Sequence, residues 1–262
     1  MGAETDAWLA DNANLVNHLA AAGKADTPVV FETALDAAHP HALTYLTIDA
    51  AEGSELTIVQ VVRGDAENGV SANLTRIRAA ENSHVTLVQV QLLGNNARRW
   101  NAVAIEEAKS ARVEHVRIEL GGCVVACGAR AVLDHNKCEY DLDAVYFGHG
   151  EDVLDFNDVS VHTGKDTLCE MHTAGVLTGH AEKILRGTVD FQRGAKRGVG
   201  HESEDVLLFS PDARNRTAPL ILCGEEEVEG QHAASVGRLD ENKLYYLRSV
   251  SYTHLRAHET VL

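Results

Sequence analysis

A parallel β-helix, an all-β solenoid with short flanking helices, is the fold class this sequence predicts. Three observations point to it. Short apolar runs separated by Gly, Asn, Asp and Ser begin every 12 to 16 residues, as expected when successive coils stack and each covers its neighbour's inward face. Between residues 42 and 235 no window of twelve or more residues carries a helical period, which removes the crossover helices that doubly wound and βαβ-barrel folds require. The fillers are Val, Leu, Ile and Ala, whereas five Phe, six Tyr and two Trp are too few for the aromatic centre of a usual sandwich or barrel.

The elements follow in order. Ala7 to Ala22 places Trp8, Leu15, Val16 and Leu19 on one helical stripe with Gly23 as a stop, so a helical segment is expected within residues 1–40. Strands are expected at 43–48 (LTYLTI), 56–62 (LTIVQVV), 84–93 (HVTLVQVQLL), 111–120 (ARVEHVRIEL) and 123–133 (CVVACGARAVL). They continue at 140–147 (YDLDAVYF), 153–161 (VLDFNDVSV), 183–191 (KILRGTVDF), 205–210 (DVLLFS) and 219–223 (PLILC). The solenoid core is thus expected over 41–236. The string VSYTHLRAHET at 250–260 reads as a translated sequencing adapter, and 250–262 is expected to be a non-native tail.

Composition excludes several functions. The chain has 262 residues, 45% apolar, with 39 acidic and 23 basic side chains and a formal charge of −16. That excess opposes nucleic acid and anionic membranes, both of which call for a concentrated Lys/Arg surface. No apolar run approaches the roughly 18 residues of a membrane span, and no secretory signal opens the chain, so the expected compartment is the cytoplasm. Cys123, Cys127, Cys138, Cys169 and Cys223 form an odd, sparse set that reads as reduced thiols.

The familiar chemical motifs fail one by one. Thr163-Gly164-Lys165-Asp166 resembles the end of a phosphate loop, but Val159 and Asp166 stand where Gly and Ser or Thr are needed. Gly121-Gly122 precedes a strand and opens no helix. Cys123 and Cys127, four residues apart in a strand-like run, would hold their sulfurs about 13 Å apart at about 3.3 Å per residue, too far for one zinc ion. They are expected as small buried thiols. His39-Pro40-His41 reads as a loop, and His84, His115 and His162 as hydrogen-bonded strand residues. Glu151, Asp152, Asp155 and Asp158 allow the carboxylate set of a β-helix carbohydrate-active enzyme, and are expected instead as a solvated acidic ridge.

One ordered set of segments is specific. HTAGVLTGHAEKILRGTVDFQRGA (172–195), LLFSPDARNRTAPLI, GQHAASVGRLD and KLYYLRS resemble the SufB/SufD family of iron–sulfur cluster assembly proteins, and within it the SufD branch. The branch is favoured because residues 200–205 (GHESED) hold no Cys where SufB carries its cluster-related one. The resemblance implies a right-handed parallel β-helix and a non-catalytic scaffold role. It implies a heterodimer with SufB through β-helix edges, or a SufD homodimer, and a SufC ATPase docked through C-terminal helices that are largely missing here. The resemblance, rather than the strand pattern, places the start of that C-terminal helical region over 237–249. It also implies a transient iron–sulfur cluster shared with SufB, for which the family's His falls on His232. Many relatives carry a Cys two residues earlier, where this chain has Gly230. A β-helix carbohydrate-active enzyme and a purely structural β-solenoid are the rival readings.

Overall fold

Among the described residues sixteen strands follow one another, each starting 12 to 16 residues after the last. The computed structural model describes residues 3–238 together with 245, 246 and 249. One eight-stranded sheet holds β1 (Leu15–Ala21), β3 (His41–Ala50), β5 (Val70–Ala79), β7 (Arg98–Glu107), β9 (Val124–Leu133), β11 (Val153–His162), β13 (Glu182–Phe191) and β15 (Arg214–Cys223). The other holds β2 (Val29–Leu35), β4 (Glu55–Gly64), β6 (His84–Leu93), β8 (Arg112–Glu119), β10 (Glu139–Gly148), β12 (Leu168–Leu177), β14 (Gly198–Leu208) and β16 (Val228–Arg238). The chain alternates between the sheets, and each strand pairs in parallel with the strand one coil away. The result is a parallel β-solenoid of eight coils with its core between the two sheets.

A recurring turn sets the coil length. Gly53, Asn82, Ser110, Lys137, Asp166 and Arg197 all have positive φ and occupy equivalent places in consecutive coils. Each sends its N–H to a carbonyl one coil further on: Gly53 to Glu81, Asn82 to Lys109, Ser110 to Asn136, Lys137 to Lys165, Asp166 to Lys196 and Arg197 to Glu227. The left-handed conformation costs a non-glycine residue about 1 kcal/mol. The inter-coil hydrogen bond offsets that cost by satisfying a turn amide.

The interior is apolar along much of its length, through residues such as Ile48, Ile58, Leu87, Ile105 and Val113. It is also polar in columns. Thr44 donates to Asn73 (2.7 Å), Asn73 to Asn101 (2.7 Å) and Asn101 to Gln89 (2.7 Å), while His115 Nε2 meets Gln89 at 3.0 Å. Beyond these, Arg99 pairs with Glu119 at 3.3 Å, and Arg117 makes two 2.8 Å bonds to Asp158.

Several expectations require correction. The helix expected over 7–22 ends at Asn12: α1 is Ala3–Asn12, and Leu15–Ala21 is strand. Asn14 stops the helix because its backbone N–H donates to Leu43 and its side chain accepts the Leu43 N–H, which starts the pairing of β1 on β3. Leu19 and Ala21 then pack on the core, whereas Leu9 of α1 packs outside the sheet against Ala72, Leu74 and Ala102. The solenoid therefore begins within the first forty residues, and β16 carries it through Arg238. The expectation for 250–262 lies outside the described residues.

The acidic ridge is not one. Asp158 is 2% exposed and faces inward onto Arg117, and the buried Asp152 accepts the His149 N–H. Asp155, on the opposite face of the strand, pairs with Arg186. Strand alternation separates Asp155 from Asp158, so they form no paired-carboxylate cleft. Cys123 precedes β9, so it and Cys127 share no strand face; Cys127 is buried as expected, and Cys123 is half-buried.

His115 and His162 are buried, and desolvation pushes their imidazoles down, His115 to about 3 and His162 to about 4 from 6.5. Below pH 6.5 the unfolded chain binds protons on these rings that the folded chain refuses. Stability therefore falls as pH drops from 6.5 toward 4, by about 1.4 kcal/mol per pH unit for each ring. Urea unfolding from pH 7 to 4.5 should show that slope, reduced by about one such increment in His162→Gln. At the Arg117–Asp158 pair, Asp158→Ala strands a buried guanidinium and should cost about 3–5 kcal/mol in the same assay, with Arg117→Met in addition recovering part of the loss.

Candidate functional site at the C-terminal end of the solenoid

The last two coils gather the ionisable side chains of the specific segments. On β13, Lys183, Leu185, Gly187, Val189 and Phe191 alternate toward the interior, and on β14 Gly200, Glu202, Glu204, Val206 and Leu208 do the same. Two glutamates thus share a face with Val206 and Leu208. Both are buried, as is Lys183, which forms an ion pair with Glu204, and Thr217 of β15 donates to the same carboxylate.

Burial pushes the Lys183 ammonium down, and the Glu202 carboxylate opposes that shift. Burial likewise raises the Glu202 carboxyl, against the pull of His232 and Lys183. One Glu202 oxygen, Oε2, is buried without a hydrogen-bond partner. Glycine makes the room for this carboxylate. A Cβ at Gly187 would overlap the Glu202 carboxylate across the interior, which gives the Arg186-Gly187 strand of the sequence signature a steric reason.

His232 lies on β16, the terminal strand of its sheet among the described residues. It is in register with Glu202, its neighbours Gly230 and Ala234 align with Gly200 and Glu204, and it is exposed. No hydrogen bond among the described residues reaches its ring. A side chain at Gly230 would be crowded, because a Cβ there lies 2.8 Å from Ile221 Cγ2. An exposed imidazole is a competent borderline ligand for iron. Among the described residues no group of three or more His, Cys, Asp or Glu is arranged to hold a metal.

The remaining histidines have other surroundings. His39 and Pro40 lie in a loop and His41 begins β3. His84 faces Glu114 at 3.4 Å on the outer surface, and His162 meets Thr167 at 2.7 Å in the core. The reading of residues 200–205 as a segment without Cys missed Glu202 and Glu204. Their phase with Val206 and Leu208, which puts two acids on an apolar face, was the available signal.

Fold and site together define a β-solenoid with a buried charged cluster at one end, built like a scaffold whose interior reaches the surface at its terminal coil. The chain belongs to the SufBD core family: the family model described as SUF system FeS cluster assembly, SufBD core domain, matches residues 33–261. It is 35% identical over 109 residues to the iron–sulfur cluster assembly protein SufD of Bacillus subtilis (strain 168), covering 42% of this chain and 25% of that protein. It is 22% identical over 218 residues to SufD of Escherichia coli (strain K12), covering 82% of this chain and 51% of that protein. A SufBD family protein of Pyrococcus horikoshii is 21% identical over 220 residues, covering 83% of this chain and 49% of that protein. The chain spans between a quarter and about half of the length of these relatives. No helix among the described residues is long and apolar enough to cross a membrane.

Gly187→Ala should displace the Glu202 carboxylate and destabilise the terminal coils by about 1–3 kcal/mol, the usual cost of overpacking. Hydrogen exchange on β13 to β16 should rise while β3 to β8 stay protected, and uniform exchange in the variant would refute the local assignment.

Proposed function

We propose that the chain is a SufD-like scaffold subunit of a cytoplasmic SUF assembly complex, pairing with SufB and presenting His232 to an iron–sulfur cluster built between them. The cluster is cargo rather than a resident cofactor. ATP hydrolysis belongs to a separate SufC subunit, in keeping with the failed phosphate-loop motif of this chain. The observation that carries the reading is the position of His232: an exposed imidazole on a free terminal strand, within a chain of the SufBD core family.

Among the described residues the outer edges of β15 and β16 are unpaired, which supports the partner. Exposed strand edges are a liability for a lone protein and a template for a subunit that extends the sheet. Separation of Asp155 from Asp158 onto opposite faces disfavours the carbohydrate-enzyme rival.

Co-expression of the chain with SufB and SufC, followed by purification and reconstitution with iron and sulfide, tests the proposal. A stable complex with a cluster is expected, and His232→Ala should lower iron and sulfide content severalfold while leaving the complex assembled. Unchanged cluster yield in His232→Ala would remove His232 from the site. A chain that elutes as a lone monomer in the presence of SufB would favour the purely structural solenoid.

A further inference from the structure

The Glu202 carboxylate occupies a place that its other neighbours do not explain. Along its column the preceding residue is Met171 and the following one is His232. Met171 offers no hydrogen bond donor. Across the interior, Lys183 is drawn into its ion pair with Glu204, and Glu202 keeps a buried oxygen without a partner. The imidazole next to it is flanked on its own face by Gly230 and Ala234, too small to separate the two side chains. Adjacent parallel strands lie about 4.8 Å apart, within reach of a Glu and a His in register.

We propose that Glu202 is the positioning residue for His232: the two side chains stand in register without a hydrogen bond between them, and rotation of the exposed imidazole lets the carboxylate receive the N–H of one ring nitrogen, which fixes the tautomer and leaves the other nitrogen facing out of the terminal coil toward incoming iron. The assignment rests on the reading of His232 as a cluster-site ligand. Histidines that ligate metals generally donate their second ring nitrogen to a carboxylate or carbonyl, which raises ligand basicity and fixes ring orientation. Gly187 holds the carboxylate at the right depth, because any side chain there would push it away. Glu202 thereby joins the signature glycine on β13 to the histidine on β16, three segments of the chain acting on one imidazole.

Nitrogen spectra of the 262-residue chain carrying 15N-labelled histidine test this directly, with His232→Ala assigning the signals. One tautomer of His232 should predominate in the unsubstituted chain. Glu202→Ala should move both ring nitrogens toward the mixture of a free imidazole. Glu202→Gln, which keeps the volume and removes the charge, should move them in the same direction by less and serves if the alanine variant does not fold. In the reconstituted complex Glu202→Ala should lower cluster content about tenfold, with Glu202→Asp restoring part of it. His232 signals that are identical in the unsubstituted chain and in Glu202→Gln and Glu202→Ala would overturn the proposal. Failure of the underlying reading is visible separately: His232→Ala would leave cluster content unchanged, and the iron-directed role of the pair would fall with it.

Discussion

In-register stacking of parallel coils is the constraint on which everything else in this molecule depends. Leu15 aligns with Thr44, Thr44 with Asn73 and Asn73 with Asn101, so each inward position meets its equivalent about one coil, or 28–29 residues, away. A column of aliphatic residues is then self-solvating. A column of amides is equally acceptable, because each Asn or Gln donates to the next at hydrogen-bond distance, and the interior tolerates Thr44, Asn73, Asn101 and Gln89. Each such bond contributes about 1 kcal/mol net, but leaving one partner unpaired would cost more than that, so the columns fix the register more strongly than they stabilise the fold.

Charges inside the solenoid obey the same rule with larger stakes. Arg117–Asp158, Arg99–Glu119 and Lys183–Glu204 are each neutral as pairs, and all three join residues of opposite sheets. Desolvating both members consumes most of the Coulombic attraction. Their consequence is specificity: a coil slipped by one residue would turn a guanidinium outward and leave its carboxylate buried alone. Glu202 differs from these groups by its place. It faces the interior in the last coil but one, where the next residue of the column is His232 and nothing further is stacked on that histidine among the described residues.

How much of this was readable in the sequence depends on what each strand turns inward. β6 and β10 turn in Val85, Leu87, Tyr140 and Leu142, and their alternation was plain. β5 and β7 turn in Ser71, Asn73, Thr75, Arg99 and Asn101, so the apolar alternation that marks a strand disappears, and neither was anticipated. β14 was seen from residue 205 onward because its first half turns in Gly200, Glu202 and Glu204. The coil-setting turn escaped notice because its left-handed position accepts Gly, Asn, Ser, Lys, Asp and Arg alike, and what it requires is a carbonyl one coil away. Asp158 was misplaced for the same reason: a carboxylate inside a protein is identified by its partner, and Arg117 lies 41 residues earlier in the chain. His232 was singled out by family resemblance alone, since exposure on a terminal strand leaves no trace in periodicity.

A solenoid of this kind has a particular reason to keep its chemistry at an end. Along the body, an inward side chain is sealed between the coils before and after it, and an outward one stands on a flat sheet open to water. At the terminal strand alone does an inward-phase residue acquire one open side while keeping a structured neighbour beneath it. His232 is exposed and has beneath it, in Glu202, Lys183 and Glu204, a buried charged layer. An imidazole placed four coils earlier, as His115 is, becomes a neutral core group held by Gln89. The same residue type in the same phase of the same sheet is therefore structural in one coil and accessible in another, and stacking decides which.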